Sequence, residues 1–176
     1  LPAKPIVIFQ ILEYFRAFLS SRIGWDQVNG LLIISGAFGL FKKSAVIETG
    51  GYKRTIGEDM ELTLNLHDHF RSSKKKYHID FVSDAVCWTQ APDSCKGLRT
   101  QRIRWHRGLI DSLSKHIHML CNPSFGVIGM FSMPYFFFVE MSGPIVELVG
   151  YAILLLSAVN GSLSFFCLFV FIMAYL

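Results

Sequence analysis

Glu58 and Asp59 stand side by side in RTIGEDMELTLNLHDHF, residues 54–70. Thr55 followed by Glu58 has the spacing of a capping box, with Thr at the N-cap and Glu at the third helical position. The spacing predicts a helix over 56–70. Glu58 is then engaged in capping, and Asp59 stands in the first turn beside free backbone N–H groups. The positive end of the helix dipole favours a carboxylate there. A carboxylate fixed on a rigid helix start can take a proton from a hydroxyl group. Taken alone, an ordinary first-turn aspartate would read the same way.

A second constellation is Gln101, Arg104 and Trp105 in QRIRW. On a helix these positions share one face. An arginine fork can hold a diphosphate, and glutamine can add a donor. An indole face suits stacking on the apolar side of a sugar ring. Arg99, Arg102, His106 and Arg107 surround this face with further donors. A basic helix close to a membrane that attracts anionic headgroups is the competing reading. Lipid attraction does not require the Gln-x-x-Arg-Trp order.

Other candidates carry less. SGAFG, which begins with Ser35 and Gly36, has small residues that let backbone approach a ligand. His67, His69, His106, His116 and His118 show no metal-ligand spacing, and His116 and His118, two apart, cannot share a helix face. No metal site is therefore expected within the chain. Glu140 and Glu147 would share one face of an apolar helix, where carboxylates are costly.

These residues need elements to position them. Residues 7–19 carry an apolar stripe at Ile8, Leu12, Phe15 and Leu19, which predicts a helix packed on protein or lying in a membrane interface. LLIISGAFGLF, residues 31–41, reads as a buried strand and turn. Gly50-Gly51 marks a turn. HIDFVSDAVCWT, residues 78–89, reads as a strand. A helix is expected from near Gly97 through residue 117.

The C-terminal part has a different character. Residues 125–176 hold only two charged side chains, Glu140 and Glu147. So long an uncharged run points to a membrane. Residues 125–159 would extend about 52 Å as one helix, against a hydrocarbon core of about 30 Å. Pro134 and Pro144 offer breaks. An interfacial or re-entrant piece is expected over 125–138, a span over 141–159, a turn at Asn160-Gly161 and a further span over 162–176. The domain division expected is therefore 1–124, cytosolic, and 125–176, membrane.

The chain is 52% hydrophobic with a net charge of +4, and every lysine and arginine lies in the first 124 residues. A basic cytosolic part suits phosphates, nucleotides or anionic lipid. Cys87, Cys95, Cys121 and Cys167 form no paired motif, which fits a reducing compartment. LPAKP has no Met and no signal layout, and FIMAYL lies within an apolar run, so the chain reads as a fragment.

GEDMELTLNLH resembles the (T)ED helix of membrane-bound family 2 glycosyltransferases, and QRIRW resembles their QxxRW motif. The order SGAFGLFKKSAVIETGGY, GED, strand, TQAP, QRIRW, membrane helices is similar to that of the processive synthases of cellulose, chitin, hyaluronan and poly-N-acetylglucosamine. The resemblance implies an α/β fold, the C-terminal half of a GT-A-like domain followed by transmembrane helices. It implies that Asp59 is the base on the acceptor hydroxyl, with inversion. Gln101 and Arg104 would contact the donor diphosphate. Trp105, Ser35 and Gly36 would line the acceptor site. The partners would be a nucleotide-sugar donor, a glycan or lipid-linked acceptor and membrane lipids, with no nucleic acid. The location would be the plasma membrane with the catalytic part cytoplasmic.

Two departures stand out. Gly57 replaces the threonine that often precedes Glu-Asp, and the chain has no D-x-D. In the resemblance that motif binds UDP and a divalent metal, Mg²⁺ or Mn²⁺, so both are expected from residues preceding Leu1, and the fragment alone is expected to be inactive. Two alternatives remain open: transfer of one sugar to a lipid, and a non-catalytic membrane or transport role.

Overall fold

The computed structural model describes residues 4–162, 164–166 and 168–169. It divides into two compact units, 1–136 and 137–176. The sequence placed the boundary after residue 124. Residues 125–136 instead belong to the first unit, where Phe125, Ile128, Ser132 and Met133 are buried.

The first unit begins with helix α1 (Pro5–Arg16), opened by Pro5 at its first position. It continues without a break through a π-helical stretch, Ala17–Arg22, into α2 (Ile23–Gln27). Phe9, Leu12, Phe15 and Leu19 on this rod are all more than half exposed. A short α3 (Lys43–Glu48) follows and ends at Gly50 and Gly51, both at positive φ, which makes the expected turn.

Helix α4 (Glu58–Ser72) is the centre of the unit. Met60, Glu61, Leu62, Thr63, Leu64, Leu66 and His67 are all buried. Other elements surround this helix on nearly every side, so its apolar residues need not keep to one stripe. That accounts for the alternating leucines, which mimic a strand period. Helix α5 (Cys95–Lys115) packs against it, capped by Ser94, whose hydroxyl accepts from the N–H of Gly97 at 3.2 Å.

The α/β expectation is not met, because no strand forms among the described residues. Residues 78–89 are irregular. Residues 31–35 carry no ladder, although Leu31 and Leu32 are buried. A strand is defined by hydrogen bonds to a neighbour, and neither segment has one here. Single side-chain contacts tie them down instead: Asp26 accepts the N–H of Phe81 at 2.9 Å, and His67 holds the carbonyl of Leu31 at 2.7 Å.

Residues 128–140 form a helical run with π-helical stretches at Ile128–Ser132 and Phe136–Glu140 around α6 (Met133–Tyr135). Trp25 packs on Tyr135 with ring centroids 5.2 Å apart. The hydroxyl of Ser132 donates to the carbonyl of Gly30 at 2.8 Å. The second unit contains α7 (Gly143–Val159), whose apolar side chains, Ile145, Leu148, Ile153, Leu155 and Val159 among them, are exposed. No single helix among the described residues is long and apolar enough to cross a membrane. Ile128–Glu140 and Gly143–Val159 meet the length and composition only together, across the break between them. The expected span over 162–176 and Cys167 lie almost entirely outside the described residues.

Candidate active site

The start of α4 is not held as the sequence suggested. Gly57 is the N-cap, with no side-chain cap, and Glu58 is the first helical residue, not the third. The Thr55 hydroxyl donates instead to Asp111 on α5. A carboxylate from another helix wins the hydroxyl, so the capping box is absent. Lys115 at 2.8 Å, and then Thr55, hold Asp111 below the ordinary carboxylate value.

What seats the helix start is a pair of glycines. A Cβ placed on Gly57 would stand 3.0 Å from the Cα of Gly108 on α5, and one placed on Gly108 would stand 2.9 Å from the Cα of Gly57. The two backbones touch. Ser112, one turn further, donates to the carbonyl of Gly57 at 3.4 Å. The Gly57 departure therefore has a structural cause: a side chain at this position would meet main chain.

Asp59 follows two residues later and is half-buried. Its Oδ2 accepts the N–H of Gly36 at 3.2 Å, and its Oδ1 accepts the N–H of Met60 at 2.8 Å. The SGAFG segment and the carboxylate are thus brought together across 23 residues of sequence. Ser35 lies next to this contact, and its carbonyl accepts the N–H of Phe38 in a turn. Glu58 is exposed.

A residue the sequence reading missed feels the charge of the same carboxylate. Arg22 ends the π-helical stretch, half-buried, and donates to the carbonyl of Ile33. Burial pulls its guanidinium below the ordinary value, and the charge of Asp59 pushes it back up. Its Cζ lies 4.5 Å from the centre of the Phe18 ring. The π-helical turn, a feature frequent at functional sites, ends at this arginine. No local motif marks Arg22, because its partners are 11 and 37 positions away in sequence.

Gln101, Arg104 and Trp105 all lie within α5 and share its face by spacing. Arg104 and Trp105 are about one turn before Gly108, or roughly 6 Å along the axis. Arg104 is exposed, with no ion-pair partner among the described residues. Gln101 has a buried Oε1 that accepts no hydrogen bond. Trp105 is braced from two sides: the Tyr14 ring lies at 6.4 Å, and the Arg102 guanidinium carbon lies 5.0 Å from its ring centre. Arg102 is itself held in a two-point pair by Glu13 of α1, one contact being 2.6 Å. The sequence treated Arg102 as a flanking donor like Arg107, but it supports Trp105.

The loop before α5 is pinned as well. Gln10, buried on α1, donates to the carbonyl of Pro92 at 2.8 Å, and Lys4 pairs with Asp93 at 2.6 Å. Among the described residues, the one group of three converging metal-capable side chains is Asp68, His116 and His118. It lies nine residues beyond Asp59 on α4, about 13 Å along the axis. Two imidazoles and one carboxylate differ from the oxygen-rich site that Mg²⁺ or Mn²⁺ favours. It does not fit a donor-diphosphate metal. His116 and His118 share no helix face, as their spacing requires, but both lie beyond the end of α5, where they converge on Asp68.

The glycosyl transferase family group 2 matches residues 7–176. Chitin synthase 8 of Mycosarcoma maydis is 25% identical over 187 aligned residues, covering 91% of this chain and 9% of that protein. The poly-beta-1,6-N-acetyl-D-glucosamine synthase of Staphylococcus aureus (strain COL) is 40% identical over 100 residues, 56% of this chain and 23% of that one. The chain thus spans less than a quarter of the length of these relatives. No solved structure gives a significant match.

Proposed function

The chain belongs to glycosyl transferase family group 2, and on that premise we propose that it is the acceptor-and-base part of an inverting polysaccharide synthase. The donor is a nucleotide sugar, of UDP type. The acceptor is the end of a growing glycan, and the reaction is repeated chain extension.

In this reading the Asp59 carboxylate takes the proton of the acceptor hydroxyl. The hydroxyl oxygen forms the new bond to the anomeric carbon from the face opposite the nucleotide, and the bond to the diphosphate oxygen breaks. The nucleoside diphosphate leaves with the electron pair. Arg104 and Gln101 meet the negative charge that develops on it. Trp105 carries the acceptor ring. The N–H groups of Gly36 and Met60 hold the two carboxylate oxygens in fixed directions, which a general base requires. A Mg²⁺ or Mn²⁺ ion would neutralise charge on the diphosphate and would be held by residues outside this chain.

The observation that carries this reading is the Gly57–Gly108 contact, which sets the start of the base-bearing helix about one turn from Arg104 and Trp105. The exposed apolar faces of α1 and α7 support a place at a membrane, with α1 in the interface and the catalytic part on the cytoplasmic side.

The test is polymer synthesis by the full-length enzyme in lipid with radiolabelled UDP-sugars. Asp59→Asn should reduce synthesis by at least about 100-fold, the usual contribution of a general base, with UDP affinity nearly unchanged. Normal synthesis by that variant rejects the assignment. A product of one sugar on lipid would replace chain extension with single transfer.

A further inference from the structure

We propose that Asp68, His116 and His118 form a transition-metal site of the zinc class that fastens the C-terminal end of α4 to that of α5. This does not depend on the transferase reading.

The site exists because α5 stops. In a continuous helix, residues two apart point to nearly opposite sides. The α-helix ends at Lys115, His116 leaves it with φ −105° and ψ 24°, and a 3₁₀ turn covers Ile117–Met119. The tighter turn brings both imidazoles to Asp68, their ring centres 6.0 Å apart. Asp68 Oδ2 lies 3.0 Å from His118 Nε2 and 3.6 Å from His116 Nδ1. One ligand atom from each residue lies within 4.8 Å of the other two. Tetrahedral zinc with bonds of about 2.0–2.1 Å separates its ligands by roughly 3.3 Å, so the cluster is close to the required size.

The second observation is an orphan. His116 is 5% exposed, and its buried Nδ1 has no hydrogen-bond partner. Its other nitrogen, Nε2, lies 3.3 Å from Oε1 of Glu61, which is also buried. A carboxylate can only accept, so Nε2 carries the hydrogen and donates. The Nδ1 lone pair then faces the Asp68 carboxylate, another acceptor. Two acceptors set against each other call for a cation between them, a metal ion or a second proton on the ring, and the convergence of His118 on the same Asp68 oxygen favours the metal. A carboxylate on the far nitrogen of a metal-bound histidine is the usual second layer of such sites, and Asn65 supports that carboxylate at 3.4 Å. Two imidazoles favour zinc over magnesium or calcium. His118 is half exposed, which leaves an entry path and a position for water as fourth ligand.

At about 13 Å along α4 from Asp59, the metal acts on packing and not on sugar transfer. The full-length enzyme in detergent should be stripped with chelator, saturated with Mg²⁺ to fill oxygen-ligand sites, and titrated with Zn²⁺. One zinc per chain should remain after dialysis, and Zn²⁺ should raise the melting temperature. His118→Ala, which removes a partly exposed side chain, should weaken zinc binding at least about 10-fold, since losing only a supporting group costs that much, and should abolish the thermal shift. Asp68→Asn should behave likewise. Co²⁺ should give the visible bands of a four-coordinate ion in the parent protein and lose them in His118→Ala. No retained zinc in the parent, meaning that a proton bridges the cluster, overturns the proposal. So does equal zinc in parent and both variants.

Discussion

Gly57 and Gly108 meet backbone to backbone, with no room for a Cβ on either: each would stand 2.9 to 3.0 Å from the other's Cα. One residue is the N-cap of the helix that carries Asp59, and the other lies one turn beyond Arg104. Gly108→Ala should therefore destabilise the protein. Alanine gains about 1 kcal/mol of helix propensity over glycine, while overpacking a tight contact costs about 1–3 kcal/mol. The opposing atoms are main chain and cannot swing aside, so we expect a net loss of about 1 kcal/mol and a larger loss of synthesis. Denaturant midpoints and polymer assays on the full-length enzyme check both, and a more stable, fully active variant would show that the backbones separate freely.

Arg102, Arg104 and Arg107 should differ although each is one positive charge on α5. Arg104→Lys removes the planar fork offered to a diphosphate and should abolish most synthesis with weakened UDP binding. Arg102→Lys should leave UDP affinity intact but impair acceptor use, because the two-point pair with Glu13 and the brace on Trp105 both need the guanidinium. Arg107→Lys should be tolerated. Calorimetry with UDP, set beside synthesis rates, separates the three. Equal mild defects would favour a helix that merely attracts anionic lipid.

Trp105→Ala should weaken acceptor engagement and spare nucleotide binding. Stacked aromatic contacts contribute about 0.5–1.5 kcal/mol beyond burial, so the apparent acceptor affinity should fall by several-fold or more. An equal fall in UDP affinity would merge the donor and acceptor roles assigned to the two neighbours.

Arg22→Met should lower the synthesis rate while UDP affinity stays near that of the parent. The substitution keeps much of the side-chain volume and removes both the charge that interacts with that of Asp59 and the donor to the Ile33 carbonyl. A lost charged donor costs about 1.5–3 kcal/mol. Arg22→Lys, which retains the charge, should recover part of the rate. No recovery by lysine would assign the arginine to holding Ile33 alone.

His67 gives the protein an acid limit. Its Nε2–H donates to Leu31 at 2.7 Å, and its Nδ1 accepts from the Tyr77 hydroxyl, which in turn accepts from Arg71 at 2.9 Å. Burial, opposed by the Leu31 bond and aided by Arg71, lowers the His67 pKa to about 4. An unfolded histidine titrates near 6.5, so below that value the unfolded chain takes up a proton that the folded chain refuses. The contribution is full above about pH 6.5, declines as pH falls toward 4, and amounts to about 3 kcal/mol at most. Urea midpoints measured from pH 8 to pH 4 should show this slope, and His67→Gln should flatten it.

Helix α4, helix α5, the Gly50-Gly51 turn and the Gln101, Arg104, Trp105 face were legible in the sequence. Each rests on partners three or four residues away, and that spacing is a property of the chain itself. The tertiary structure decided what needed a distant partner. Thr55 looked like a cap until Asp111, 56 residues on, took its hydroxyl. Residues 78–89 have the composition of a strand, but composition does not supply the neighbouring ladder a strand requires. Gly36 reaches Asp59 only because a loop delivers it there, and Arg22 feels the charge of Asp59 from the end of a π-helical turn. His116 and His118 converge only because α5 ends one residue before them, in a tighter turn that their two-residue spacing could not announce. Periodicity sets which residues share a face. Packing sets which faces meet, since that choice depends on shapes and charges brought together from the whole chain.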